Sequence, residues 1–139
     1  VDWQRDKIRA VLDTNVLLGS YRLPLLRMAA ADLFTIVWSD YIAAEMERKF
    51  VEIGWSENQS TKLRALIDRV AIIVDHTKIT AGNYDEWLLD LDDHPIMATA
   101  IAGEVDYLVT ANTKDFPPKK RFAGITIITP DAFEQLFIS

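Results

Sequence analysis

The chain has 139 residues, half of them hydrophobic and 26% charged, the balance of a folded domain rather than of a disordered segment. Its net charge of −6 argues against a protein that grips duplex nucleic acid by charge alone, since such affinity comes from Lys and Arg displacing counterions. The absence of cysteine excludes disulfides and thiolate metal sites, and no apolar run approaches the ~20 residues of a membrane-spanning helix.

The opening stretch from Val1 to Lys7 is polar and lacks the apolar centre of a secretory signal, so a soluble cytoplasmic protein is expected. Val1 in place of an initiator Met fits trimming or excision from a longer chain. Ile8-Arg9-Ala10-Val11-Leu12 is short and apolar enough for a buried strand, and it ends at Asp13. Thr14 or Asn15 is expected to cap a short helical segment. Leu23 to Ala30 then reads as a helix with Pro24 in its first turn. Phe34 to Trp38 is a second β-rich run. Beyond Ser39, Tyr41 to Val51 has helical character, with Ile42, Met46, Phe50 and Ile53 at helical spacing. Ser56 is placed to cap a helix from Glu57 to Val70, with Leu63, Leu66, Ile67 and Val70 on one face.

Ala71 to Val74 reads as a third strand, and Asp75 to Leu91 has the least regular pattern in the chain. Asp92-Asp93-His94-Pro95 opens a helix through Ala102, which Gly103 closes. Asp106 to Thr110 is a fourth strand. Residues 111–121 form a polar loop with Pro117 and Pro118, and Ile125 to Thr129 is a fifth strand. Pro130 and Asp131 start a terminal helix containing Phe133, Leu136 and Phe137. Short strands alternating with helices indicate an α/β fold with a parallel sheet of about five strands, and right-handed crossovers would put helices on both faces. No repeat, low-complexity segment or linker divides the chain, so one domain over residues 1–139 is expected.

Open sheets of this kind bind ligands beyond the carboxyl ends of their strands. Asp13 follows the first strand, Glu45 lies in the helix after the second, Asp93 opens the helix before the fourth, and Asp115 lies in the loop after it. On such a sheet these four acids can converge on one rim. Convergence is unfavourable without cations, because like charges raise one another's pKa. Mg²⁺ or Mn²⁺ removes the conflict, since both prefer oxygen ligands. In a two-metal site one ion activates water while the other stabilises the leaving oxygen of a phosphodiester. Neither His76 nor His94 sits in a triad pattern, and there is no P-loop or dinucleotide fingerprint.

These residues carry a family resemblance. Val11-Leu12-Asp13-Thr14-Asn15-Val16-Leu17-Leu18 resembles the opening motif of PIN-domain proteins, the fold of VapC-like toxin ribonucleases. The similarity continues through Leu33-Phe34 and Trp38 to Glu45, and resumes in Asp92 to Ala100 and Asp106 to Pro117. The resemblance implies a three-layer α/β/α PIN-like domain and metal-dependent cleavage of single-stranded RNA, with Asp13, Glu45 and Asp93 at the family's first three acidic positions. Many members carry an aspartate two residues after the threonine of the fourth strand, where this chain has Asn112. It is similar instead to a subgroup reading T-x-N-x-x-D-F-P, in which Asp115 can supply the charge and Asn112 a carbonyl oxygen. The division of that role between Asn112 and Asp115 is open. The resemblance also implies a homodimer and a small antitoxin whose segment enters the acidic rim.

Each of these residues has an ordinary structural use as well. Asp13 suits a strand-to-helix turn, and Asp93 suits a helix cap. Glu45 stands four residues before Lys49, the spacing of an exposed ion pair. Asp115 in a polar loop suits a turn. Asn15, Ser39, Thr110 and Asn112 are turn formers that can also orient the acids. Lys114, Lys119, Lys120 and Arg121 form the densest basic cluster, either a solvated loop or a patch that positions RNA phosphates. Two other functions compete. A PIN-like module without a competent metal site would bind RNA or protein without turnover. A haloacid-dehalogenase-like phosphatase needs a second Asp at position 15, which is Asn, and a response-regulator receiver needs an acidic pair near the end of strand one.

Overall fold

A computed structural model describes residues 7–79, 94–112, 121–122 and 124–138 of the chain. The expected β-runs at residues 8–12, 34–38, 71–74, 106–110 and 125–129 supply β1 (Arg9–Leu12), β2 (Thr35–Trp38), β3 (Ile72–Ile73), β4 (Tyr107–Val109) and β6 (Ile125–Ile128). Their order in the sheet is β3-β2-β1-β4-β6, and every pairing among these strands is parallel. A further strand, β5 (Arg121–Phe122), pairs antiparallel with β6 at the edge. Arg121 therefore lies on a strand rather than in the expected loop, because the turn through Gly124 (φ 80°) folds this short segment back on β6.

Consecutive strand residues face opposite sides of a sheet. Ala10, Val11 and Leu12 on β1 and Ile36, Val37 and Trp38 on β2 are all buried, so helices cover both faces of these strands. The covering helices are α1 (Thr14–Leu18), α2 (Arg22–Ala30), α3 (Asp40–Glu52), α4 (Glu57–Val70), α5 (His94–Ala102) and α6 (Pro130–Gln135). The α/β/α layering expected from the sequence is thus present. Among the described residues no helix is long and apolar enough to cross a membrane.

Helix α3 buries Ile42, Met46 and Phe50 as its spacing predicts, but Ile53 falls just past the helix end and is exposed. Helix α4 starts at Ser56 with a full capping box, Ser56 accepting from the Gln59 N–H and Gln59 accepting from the Ser56 N–H. Its buried stripe is Ser60 and Ile67 with Leu63 half-buried, while Leu66 and Val70 face outward. This rotation from the expected face follows from where α4 packs: it lies on α3 and α2, so a narrow stripe suffices.

Helix α5 ends at the expected place, although Gly103 is not its left-handed residue. Glu104 takes that conformation (φ 50°), and a Cβ at Gly103 would run into the Val37 side chain. Gly103 is there to let α5 approach β2. Helix α6 opens with Thr129 accepting from the Ala132 N–H and docks through Phe133, whose ring meets Phe34 edge-on at 4.9 Å. Leu136 and Phe137 lie beyond its last helical residue. Trp38 is buried and donates its indole N–H to Asp68 Oδ1 at 3.0 Å, so it belongs to the core.

The sheet order places β1 beside both β2 and β4. The chain runs outward from β1 to β3 and then crosses back to β4 on the other side of β1. The crevice at the carboxyl ends of β1 and β4 is therefore the topological switch point, where ligands of open α/β sheets bind.

Candidate functional site

Asp13 is the first residue after β1 and stands in that crevice. Its own N–H donates to Val109 O at 2.9 Å, continuing the β1–β4 ladder by one step. Its extended backbone (φ −62°, ψ 152°) makes it the N-cap of α1, the role the sequence offered to Thr14 or Asn15. Oδ1 accepts from the Thr14 N–H at 2.7 Å, and Oδ2 accepts from Thr110 Oγ1 at 2.8 Å and Asn15 Nδ2 at 3.0 Å. The residue is only 4% exposed. Burial pushes its carboxyl above the ordinary range, the Thr110 hydroxyl and Thr14 N–H pull it back down, and the nearby Glu45 charge raises it further.

Glu45 reaches the same crevice from α3. The Thr14 hydroxyl donates to Glu45 Oε1 at 2.6 Å, and the Tyr41 hydroxyl, one helical turn earlier, lies 3.4 Å from Oε2. Lys49, one turn later, holds its ammonium 3.8 Å from Oε1. Thr14 thus joins the two acids, its N–H to Asp13 and its hydroxyl to Glu45. The pairing of Glu45 with Lys49 is present too, so the helical ion pair and the position in the crevice coexist.

Asn15 and Asn112 extend the arrangement across the switch point. Asn15 Oδ1 accepts from the Ala111 N–H at 3.1 Å while its Nδ2 holds Asp13, which ties the loop after β4 to the end of β1. The Asn112 N–H donates to Thr110 Oγ1 at 2.9 Å, leaving that hydroxyl's proton directed at Asp13. Ser39 is elsewhere. It is the N-cap of α3 but makes no side-chain cap; its buried hydroxyl lies 2.8 Å from Thr99 Oγ1, which donates to Pro95 O at 2.7 Å. The pair links the start of α3 to the first turn of α5, which begins at His94. Thr99 was not foreseen as part of the site, although a threonine in so apolar a helix signals a polar partner.

Asp93 and Asp115 lie outside the described residues, as do Lys114, Lys119, Lys120 and the Arg121 side chain. Among the described residues no group of three or more acidic or histidine side chains is gathered as a metal cluster. What the described structure assembles is the pair Asp13 and Glu45 with Thr14, Asn15, Thr110 and Asn112 around it.

The PIN-domain family model matches residues 9–114, which span β1 through β4 and contain all of these groups. The chain belongs to the PIN-domain family. Solved structures share the fold, among them chains of two VapBC structures. A chain of VapBC2 from Rickettsia felis, solved bound to a DNA fragment from their promoter, has a TM-score of 0.59 and 21% identity, over 88% of this chain and 98% of that one. A chain of VapBC-1 from nontypeable Haemophilus influenzae has a TM-score of 0.61 and 18% identity, over 89% of this PIN domain and 99% of its counterpart. Against the curated protein sequences the chain has no significant match.

Proposed function

We propose that this PIN-domain protein is an endoribonuclease that depends on Mg²⁺ or Mn²⁺ and cuts single-stranded RNA as the toxin of a toxin–antitoxin pair. The observation that carries the reading is the bridged pair Asp13–Glu45 at the switch point of the sheet. A buried carboxylate beside a second one is a costly arrangement that a bound divalent cation relieves.

The donor set fits a hard divalent ion. A carboxylate has roughly four lone-pair positions, and among the described residues Asp13 uses its Oδ2 for Thr110 and Asn15 and its Oδ1 for Thr14. One Oδ1 position therefore remains, alongside the Glu45 oxygens. In the proposal Asp13, Glu45, Asp93 and Asp115 are the ligands, with Asp115 following the T-x-N-x-x-D-F-P pattern just beyond the matched residues. A bound divalent ion would supply water activation and stabilisation of charge on the phosphodiester. The chain's own residues do the rest. Thr110, Thr14 and Asn15 fix the Asp13 carboxylate, Thr14 and Tyr41 fix Glu45, Ser39 anchors α3 to α5, and Asn112 orients the Thr110 hydroxyl. Lys114, Lys119, Lys120 and Arg121 are assigned to RNA phosphates. A small antitoxin protein and a homodimer complete the reading; they rest on the family resemblance and on likeness to structures solved as VapBC2 and VapBC-1.

Cleavage of single-stranded RNA that requires Mn²⁺ or Mg²⁺ and disappears in a folded Asp13→Asn variant is the expected result. Metal-independent cleavage by that variant would overturn it. RNA binding with no metal uptake and no cleavage would instead identify a non-catalytic PIN module.

A further inference from the structure

Among the described residues Lys49 is the cation beside the acidic pair, and its geometry differs from that of an ordinary helical ion pair. One residue earlier on α3, Arg48 closes on Glu52 at 2.7 Å with both side chains more than half exposed, the usual surface arrangement. Lys49 has the same spacing to Glu45, yet its Nζ stands 3.8 Å from Oε1, beyond hydrogen-bond reach. Glu45 is only 15% exposed, and its Oε1 already accepts the Thr14 hydroxyl. The ammonium charge also reaches past Glu45 and favours the charged form of the buried Asp13. Lys49 therefore stands against Glu45 without a hydrogen bond to it, and its charge is felt at Asp13.

Building on the metal-site reading, we propose that Lys49 is the resident counter-cation of the Asp13–Glu45 pair and that it competes with the divalent ion for Glu45. Without metal its charge offsets the repulsion between the two carboxylates. With metal bound, an ammonium at this distance repels the ion, so it must swing out along its flexible stem toward solvent. Lys49 thus sets metal affinity at a lower value than the carboxylates alone would give, and it stabilises the metal-free protein. A merely structural lysine would have the opposite signature, since losing it would weaken everything at the site.

The test is calorimetric titration of Mn²⁺ into the 139-residue chain and its Lys49→Met, Lys49→Gln and Lys49→Arg variants, with thermal midpoints in EDTA and in Mn²⁺. The two neutral variants should bind Mn²⁺ about tenfold more tightly, the scale expected for removing one like charge at a half-exposed site. They should melt earlier than the unaltered chain in EDTA, and Mn²⁺ should raise their midpoints by more. Lys49→Arg, which keeps the charge, should bind Mn²⁺ as the unaltered chain does. Unchanged or weaker Mn²⁺ binding by both neutral variants would overturn the role of Lys49 while leaving the metal site standing. No Mn²⁺ binding by the unaltered chain would overturn the metal-site reading itself.

Discussion

The Thr14 hydroxyl donates to Glu45 Oε1 at 2.6 Å while the Thr14 N–H donates to Asp13 Oδ1 at 2.7 Å, so one residue holds both of the site's described carboxylates. Thr14 is 1% exposed, which leaves the hydroxyl no water to fall back on. Thr14→Val keeps the shape and removes the link. The expected cost in stability is about 1 kcal/mol, but Mn²⁺ affinity or cleavage should fall by about 10- to 100-fold, as for other groups that orient metal ligands. Thr14→Ser, which retains the hydroxyl, should keep most of both. Equal losses in the two variants would show that packing of the methyl group, not the hydrogen bond, is what matters.

Asp13 gives a pH signature. Its carboxyl is held above the ordinary value of 3.8, first by burial, in the metal-free protein. The folded chain therefore binds that proton more tightly than the unfolded chain does. The stability so contributed is fully present below the unfolded pKa and is lost as pH rises through the folded one. In EDTA, the thermal midpoint of Asp13→Asn relative to the unaltered chain should climb as pH is taken from about 4 to about 7. Adding Mn²⁺ at neutral pH should stabilise the unaltered chain and not the variant. A relative midpoint that ignores pH would show that burial does not raise the Asp13 carboxyl in the folded chain.

The features legible in the sequence are those with a local cause. The apolar runs of β1, β2 and β4 are buried on both faces, so their composition alone marks them, and Ser56 announces the start of α4. Strand β5 was not legible, because two residues carry no periodicity and only the pairing with β6 defines it. The outward turn of Leu66 and Val70 depends on α4 packing mainly against α3 and α2. At the site, the acid types at Asp13 and Glu45 were readable, whereas the Thr14–Glu45 bond spans 31 residues and exists only in the fold. The Ser39–Thr99 bond spans 60 and is likewise tertiary.

Gly103 offers a test of the close approach of α5 to β2. A methyl group there meets the fully buried Val37 side chain. Gly103→Ala should destabilise the chain by about 1–3 kcal/mol in urea, the range for overpacking a filled core. Val37→Ala alone should also destabilise, by opening a cavity. Combined, the two should cost clearly less than their sum, because each relieves the other. Strict additivity would place the clash elsewhere.

Asn112 sits one hydrogen bond from the acid-holding hydroxyl: its N–H donates to Thr110 Oγ1 at 2.9 Å, and Thr110 donates to Asp13 at 2.8 Å. If the fourth charge comes from Asp115, then Asp115→Asn should abolish cleavage and Asn112→Asp in that background should restore it, by returning a carboxylate to the same rim. Affinity for oxygen-seeking divalent ions rises with the number of charged ligands, so Mn²⁺ binding should be lost and regained in step. Asn112→Asp alone should bind Mn²⁺ more tightly yet melt earlier in EDTA, since it adds a like charge near Asp13. Full cleavage by Asp115→Asn would move the fourth position to Asn112, whose amide oxygen would then have to serve without charge.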